Sequence, residues 1–172
     1  MYRPRVVDGE LSKLMEAMGA VVVEGPKACG KTETARQIAA SEVRLDIDQN
    51  ARRAVAVDPS LILEGTRPRL IDEWQTAPEI WNHVRRAVDD SQSQGQFVLT
   101  GSAVPADDTT RHTGAGRIAR LRMRPMSLYE SDHSTGRVSL SALLDGQPPR
   151  SPDPGLTVTD LTERIVVGGW PA

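Results

Sequence analysis

One octapeptide constrains this chain more than any other stretch: Gly25-Pro26-Lys27-Ala28-Cys29-Gly30-Lys31-Thr32. It fits glycine, four residues, glycine, lysine, threonine at every fixed position. Ala20-Val21-Val22-Val23 precedes it as a short apolar, β-branched run, the pattern of a buried strand. Glu33 to Ala40 follows, rich in helix formers, with Ala35, Ile38 and Ala39 on one face. Strand, glycine loop and helix together are what a phosphate cradle requires. Gly25 and Gly30 permit backbone angles that other residues avoid, so the loop's N–H groups converge on phosphate oxygens at a helix N-terminus. The whole loop, Gly25, Pro26, Lys27, Ala28, Cys29, Gly30, Lys31 and Thr32, is the expected binding site for ATP or ADP. Lys31 is expected to reach the β and γ phosphates and the Thr32 hydroxyl to ligate Mg2+. The competing reading, a chance glycine turn before a helix, has the flanking strand and helix against it.

The second landmark is Arg69-Leu70-Ile71-Asp72-Glu73-Trp74-Gln75, about 40 residues further on. A short apolar strand ends there in two adjacent carboxylates, at the end of the strand where open α/β sheets bind ligands. Asp72 is expected to hold magnesium, directly or through water, and Glu73 to orient or deprotonate an attacking water. Only Leu70 and Ile71 precede the acids, a shorter apolar run than usual, and an isolated Asp-Glu pair is more often a solvated turn. Phe97-Val98-Leu99-Thr100-Gly101-Ser102 reads as another buried strand ending in hydroxyls. Thr100 or Ser102 either senses the γ phosphate between the loop and the acid strand or closes an ordinary strand-end turn.

Length and composition exclude more than they select. With 172 residues the chain is long enough to bury a real core. Twenty-one basic residues against 23 acidic leave a net charge of −2, which points to neither nucleic acid nor an anionic membrane. Aromatics make up 3%, too few for a platform that stacks single-stranded bases. No apolar run approaches the length of a membrane span and no signal peptide is apparent, so a cytoplasmic protein is expected. Cys29 has no second cysteine to pair with. It reads as a small filler of the loop, against the alternative of a redox-sensitive thiol beside phosphate. His83 falls beside an apolar helical stripe, without a second ligand at metal spacing, and reads as structural.

Along the chain, Glu10 to Met18 is an amphipathic helix with Leu11, Leu14, Met15 and Met18 on one stripe. Val43 to Ile47 alternates as a strand, Asn50 to Val57 is helical, and Asp58-Pro59-Ser60 starts a further helix with Pro59 at its first position. Thr76 is expected to cap the next helix, whose buried stripe is Ile80, Trp81, Val84, Ala87 and Val88. Residues 103 to 116 are polar and expected to be mobile. Five arginines and no acid occupy Arg111 to Arg124. From Ile118 to Arg124 they alternate, with Arg120, Arg122 and Arg124 on the face opposite Ala119, Leu121 and Met123. That stripe is either solvated or meets phosphate or an acidic partner. Arg117, on the other face and next to Gly114-Ala115-Gly116, is the expected arginine finger, acting on a nucleotide in its own chain or a neighbour's. Ser139 to Leu144 is a short helix, and Gln147 to Gly155, with four prolines, is a linker. Thr159 or Asp160 caps a last helix ending at Gly168-Gly169.

Taken together and in order, the octapeptide, Leu-Ile-Asp-Glu-Trp-Gln, Leu-Thr-Gly-Ser, Gly-Arg-Ile-Ala-Arg-Leu-Arg-Met-Arg-Pro-Met-Ser-Leu and Gly-Gly-Trp-Pro resemble the AAA-family, STAND-like predicted ATPases that carry a C-terminal domain of unknown function. The resemblance spans nearly the whole chain. It implies an α/β P-loop NTPase, a three-layer sandwich around a parallel sheet of about five strands in the order 5-1-4-3-2. It further implies ATP and Mg2+ as ligands and Arg117 or Arg120 near the γ phosphate. In such proteins Gly-Gly-Trp-Pro leads into the C-terminal domain. Residues 1–146 are therefore expected to be the ATPase domain, and 147–172 a Pro-rich linker and helix leading to a domain this chain lacks. The expected function is a Mg-dependent ATPase or ATP-operated switch, slow on its own, with a homo-oligomer or protein partner. The catalytic set is Glu73, Lys31, Arg117 and Thr100; the metal set is Thr32 and Asp72. Two other readings remain: a non-hydrolysing, antitoxin-like or DNA-associated nucleotide-binding module, and a small P-loop kinase. Glu73 following Asp72 favours water activation over transfer to an acceptor.

Overall fold

The computed structural model describes residues 2–102, 114–153 and 155–171. The expected mobile loop and Arg111 fall largely or wholly outside the described residues. The chain divides into two compact units, Val6–Arg124 and Met1–Arg5 with Pro125–Ala172. This division falls at Arg124–Pro125.

The larger unit runs α1 (Val7–Ala17), β1 (Ala20–Glu24), α2 (Lys31–Arg36), β2 (Ser41–Arg44), α3 (Gln49–Val57), β3 (Arg69–Asp72), α4 (Ile80–Ser91), β4 (Phe97–Gly101) and β5 (Ile118–Arg122). A 3-10 turn at Pro59–Leu63 starts from Asp58, whose carboxylate accepts from Ser60 N–H, with Pro59 at the first position as expected. The five strands form one parallel sheet in the order β2-β3-β4-β1-β5, the expected order read from the other edge. The central strands are apolar at successive positions because both faces are covered. Ala20, Val22, Ile71, Phe97, Leu99 and Ile118 pack on one side with Trp74, Trp81, Ile80 and Val84. Val21, Val23, Leu70, Val98, Leu121 and Met123 pack on the other with Leu11, Met15, Cys29 and Ala35. Two helical layers on a sheet give the expected three-layer sandwich.

Several boundaries differ from expectation, each for a local reason. Helix α2 stops at Arg36 rather than Ala40, since the strand that follows begins already at Ser41. Thr76 does not cap α4. Its backbone N–H and its hydroxyl both donate to the Glu73 carbonyl, at 3.0 and 2.9 Å, closing a 3-10 turn over Trp74–Thr76, and α4 begins only at Ile80.

The smaller unit holds two helices, α5 (Leu140–Leu144) and α6 (Val158–Val167). Thr157, two or three residues before the positions expected, caps α6 in a reciprocal box with Asp160. Arg5 and Glu130 form a buried ion pair at 3.0 Å, their side chains 4% and 7% exposed, and Glu130 also accepts from Ser127 N–H at 2.7 Å. Gly169 lies against Met126, whose N–H donates to the Gly169 carbonyl at 2.5 Å; a Cβ on Gly169 would collide with the Met126 backbone. The Pro125-Met126-Ser127 and Gly168-Gly169-Trp170 segments thus meet within one unit.

Candidate nucleotide site

All five strands are parallel, so β1, β3 and β4 end at the same edge of the sheet, and the loop after β1 stands over that edge. Glu24 at the end of β1 accepts from Met123 N–H at 2.7 Å, which anchors the base of the loop to the β5 side. The two loop glycines serve different purposes. Gly30 has φ 100° and ψ 14°, a conformation that suits only glycine. Gly25 has no such angle. A Cβ there would overlap the Met123 carbonyl oxygen, so this glycine is required for close approach. The remaining left-handed residue of the loop is Ala28, at φ 63°. Cys29 is fully buried beneath the loop among the apolar residues of one core layer. That burial supports the filler reading and leaves the thiol without solvent access.

Lys31 folds back over the loop. Its Nζ donates to the carbonyls of Gly25 at 3.1 Å and Pro26 at 2.8 Å, and the residue is 5% exposed. Thr32 Oγ1 donates to Asp72 Oδ1 at 2.8 Å, across 40 residues of sequence. Thr100, beside Asp72 in the β3–β4 register, donates to the same oxygen at 2.5 Å. Asp72 is 5% exposed, and these two hydroxyls replace hydrogen bonds that burial takes from its oxygen. The structure therefore brings Lys31, Thr32, Asp72 and Thr100 together at one edge. Thr100 occupies the space between the loop strand and the acid strand, and what it touches there is the Asp72 carboxylate. Ser102 lies just past β4, half-buried.

Glu73 adopts φ 56° and ψ 43°, left-handed for a residue with a side chain. Such a conformation costs roughly 1–3 kcal/mol and persists only where the surroundings impose it. Here the two Thr76 bonds to its carbonyl impose it from the backbone, and Gln75 Nε2 holds the carboxylate by donating to Oε2. Sequence reasoning passed over Gln75. Its position two residues after the acid pair was the available signal.

Arg117 is not brought to the loop. Strand β5 pairs with β1 in parallel, Ile118 beside Ala20 and Arg122 beside Glu24, so Arg117 precedes the far end of the strand. Five residues at about 3.3 Å each separate its level from the loop's by roughly 16 Å. Its guanidinium is engaged there with Asp89 Oδ1 at 2.7 Å and the Ala115 carbonyl at 3.3 Å. The hydrogen bond from Arg117 holds the Asp89 carboxyl below its ordinary range. Within its own chain Arg117 therefore lies at the end of β5 away from the loop. Its partner Asp89 belongs to α4, the helix whose Trp81 lies under Arg120, so Arg117 does not reach the face opposite Arg120 that alternation suggested. Arg120 stands nearer the loop, its guanidinium 2.6 Å from Glu24 Oε1 and 5.5 Å from the Trp81 ring.

A glycine loop after β1, a lysine and hydroxyl opening the next helix, an acid ending β3 and the order 5-1-4-3-2 define a P-loop NTPase architecture. A family model described as an AAA domain matches residues 18–131, and the chain belongs to that family. AAA domains are nucleotide-binding domains of the ATPase type and generally bind their nucleotide with Mg2+. Comparison with curated proteins gave no match. Among the described residues no helix is long and apolar enough to cross a membrane.

Proposed function

We propose that the chain is a Mg-dependent ATPase that uses hydrolysis to switch between states. The observation that carries this reading is the convergence of Thr32 Oγ1 and Asp72 Oδ1, 2.8 Å apart, beside the Lys31 ammonium folded over the loop. These are hard oxygen donors of the kind Mg2+ takes, one hydroxyl and one carboxylate, leaving other positions to water and phosphate oxygens. When bound, the ion would neutralise charge on the β and γ phosphates.

The chain's own residues carry the remaining steps. Lys31 exchanges its two carbonyl acceptors for phosphate oxygens, a gain because its partners become charged. Thr100 keeps the Asp72 carboxylate aimed along the edge of the sheet. Glu73, ending the same strand on a rigid turn, orients a water toward the γ phosphate and accepts its proton. The arginine that completes such sites comes from Arg120, released from Glu24, or from a second chain.

Titration with ATP in the presence of Mg2+ tests the binding half of this reading. The parent chain should bind, and a folded Lys31→Ala variant should lose triphosphate affinity by roughly a hundredfold, the scale of a lost charged hydrogen-bond pair. Equal affinities would refute the assignment.

A further inference from the structure

Glu73 and Gln75 lie on the turn that follows β3, and Gln75 Nε2 donates to Glu73 Oε2. Only the nitrogen end of an amide can face a carboxylate, because an amide oxygen there would set acceptor against acceptor. The contact therefore fixes the orientation of the amide and turns Oε1 inward. That oxygen is buried, and no described residue donates to it. It rests against Gly101, the last residue of β4: a Cβ on Gly101 would overlap Gln75 Oε1 and stand 3.2 Å from Trp74 Nε1. Gly101 has no left-handed backbone to explain it, so what it supplies is space.

An amide placed only to fill that space would be poorly chosen, since its oxygen goes unsatisfied where an apolar side chain would not. What the amide secures is the position of the carboxylate. We propose that Gln75 is the positioning residue for Glu73, and that Gly101 is small so that the Gln75 amide can reach it. The inference rests on the reading of Glu73 as the water-orienting group. Strand β4 then serves the site twice, through Thr100 on Asp72 and through the space at Gly101 for Gln75. Without the amide, the Glu73 side chain samples several rotamers and the water is held less often in line.

The test combines an equilibrium readout with a kinetic one. In the nitrogen-15-labelled free protein, one glutamine side-chain amide should exchange slowly with solvent. Its signal should vanish in Gln75→Leu and lose its protection in Glu73→Ala and in Gly101→Ala. In turnover with Mg2+ and ATP, Gln75→Leu and Gly101→Ala should each lower kcat by about tenfold to a hundredfold, the usual scale for an outer partner of a site carboxylate. ATP affinity should be unchanged in both, and Gln75→Leu should cost nothing more in a Glu73→Gln background. An active parent without the protected amide overturns this inference alone. So does an active parent whose kcat survives Gln75→Leu, or losses that add in the double variant. An inactive parent that keeps the protected amide overturns the hydrolytic reading of Glu73, and the catalytic part of this inference with it.

Discussion

At the scale of single residues, Asp72 is the point on which the site turns. Its Oδ1 accepts hydrogen bonds from hydroxyls of the loop helix and of β4, so one buried oxygen ties three elements together. Thr100→Val keeps the shape and removes one donor. It should destabilise the chain by about 1–3 kcal/mol, the cost of leaving a buried polar group short of a partner, and raise the Mg2+ concentration needed for nucleotide binding. Denaturant unfolding and a magnesium titration read the two effects; an unchanged midpoint would show that Thr100 does not support Asp72. Gly25→Ala adds a single carbon that collides with the Met123 carbonyl. The loop would have to lift off β5, and ATP affinity should fall even if the fold survives. Lys31, Thr32 and Asp72 were legible in the sequence because their chemistry is written in residue type and spacing. Gln75 and the separate tasks of Gly25 and Gly30 were not, because each depends on which backbone lies opposite, and that is known only once the strands are paired.

Among the elements, the sheet explains both what sequence reading reached and where it stopped. Uninterrupted apolar runs at Ala20–Val23 and Phe97–Leu99 mark strands covered on both faces, and their order followed from the family resemblance. The alternation after Ala119 was equally plain, and the structure buries Leu121 and Met123 while leaving Arg120 and Arg122 exposed. With β5 parallel to β1, as the resemblance implied, Arg117 falls at the edge away from the phosphate loop, a consequence that residue spacing alone does not state. Arg117→Ala, measured on the chain alone, should therefore leave the rate per site of ATP hydrolysis within about twofold of the parent, whereas a catalytic finger is worth about 10³–10⁵ in rate. Helix α6 offers a second check. Its Thr157–Asp160 box satisfies donors at the helix start, so Thr157→Ala should cost about 1 kcal/mol of the stability of its unit, read by calorimetry. A smaller loss in Thr159→Ala would distinguish the observed cap from the position suggested by sequence.

For the molecule as a whole, burial of charge sets what a unit tolerates. The Met1–Arg5 and Pro125–Ala172 unit holds the buried Arg5–Glu130 pair. Removing one partner leaves the other charge buried, so Arg5→Met should cost about 3–5 kcal/mol, and Arg5→Met with Glu130→Leu should recover most of the loss. Acid acts on both units. Glu42 is held low by its hydrogen bond from Arg36, Asp58 by Ser60, Asp89 by Arg117 and Asp160 by Thr157. Each binds its proton less readily folded than unfolded. The stability they contribute is therefore complete above the ordinary carboxylate range, near about pH 4–4.5, and is lost as pH falls through the lowered values. Melting temperatures should be level from about pH 7 to 5 and decline below about 4. Every residue assigned to the site lies between Val6 and Arg124, and the central claim about that unit is that Glu73 turns bound ATP over. Phosphate release from Mg·ATP by the parent and by Glu73→Gln, with nucleotide affinity measured on the same samples, tests this most directly. The account predicts release by the parent, and tight binding with release reduced by about two orders of magnitude or more in Glu73→Gln. Equal release by the two proteins would contradict it.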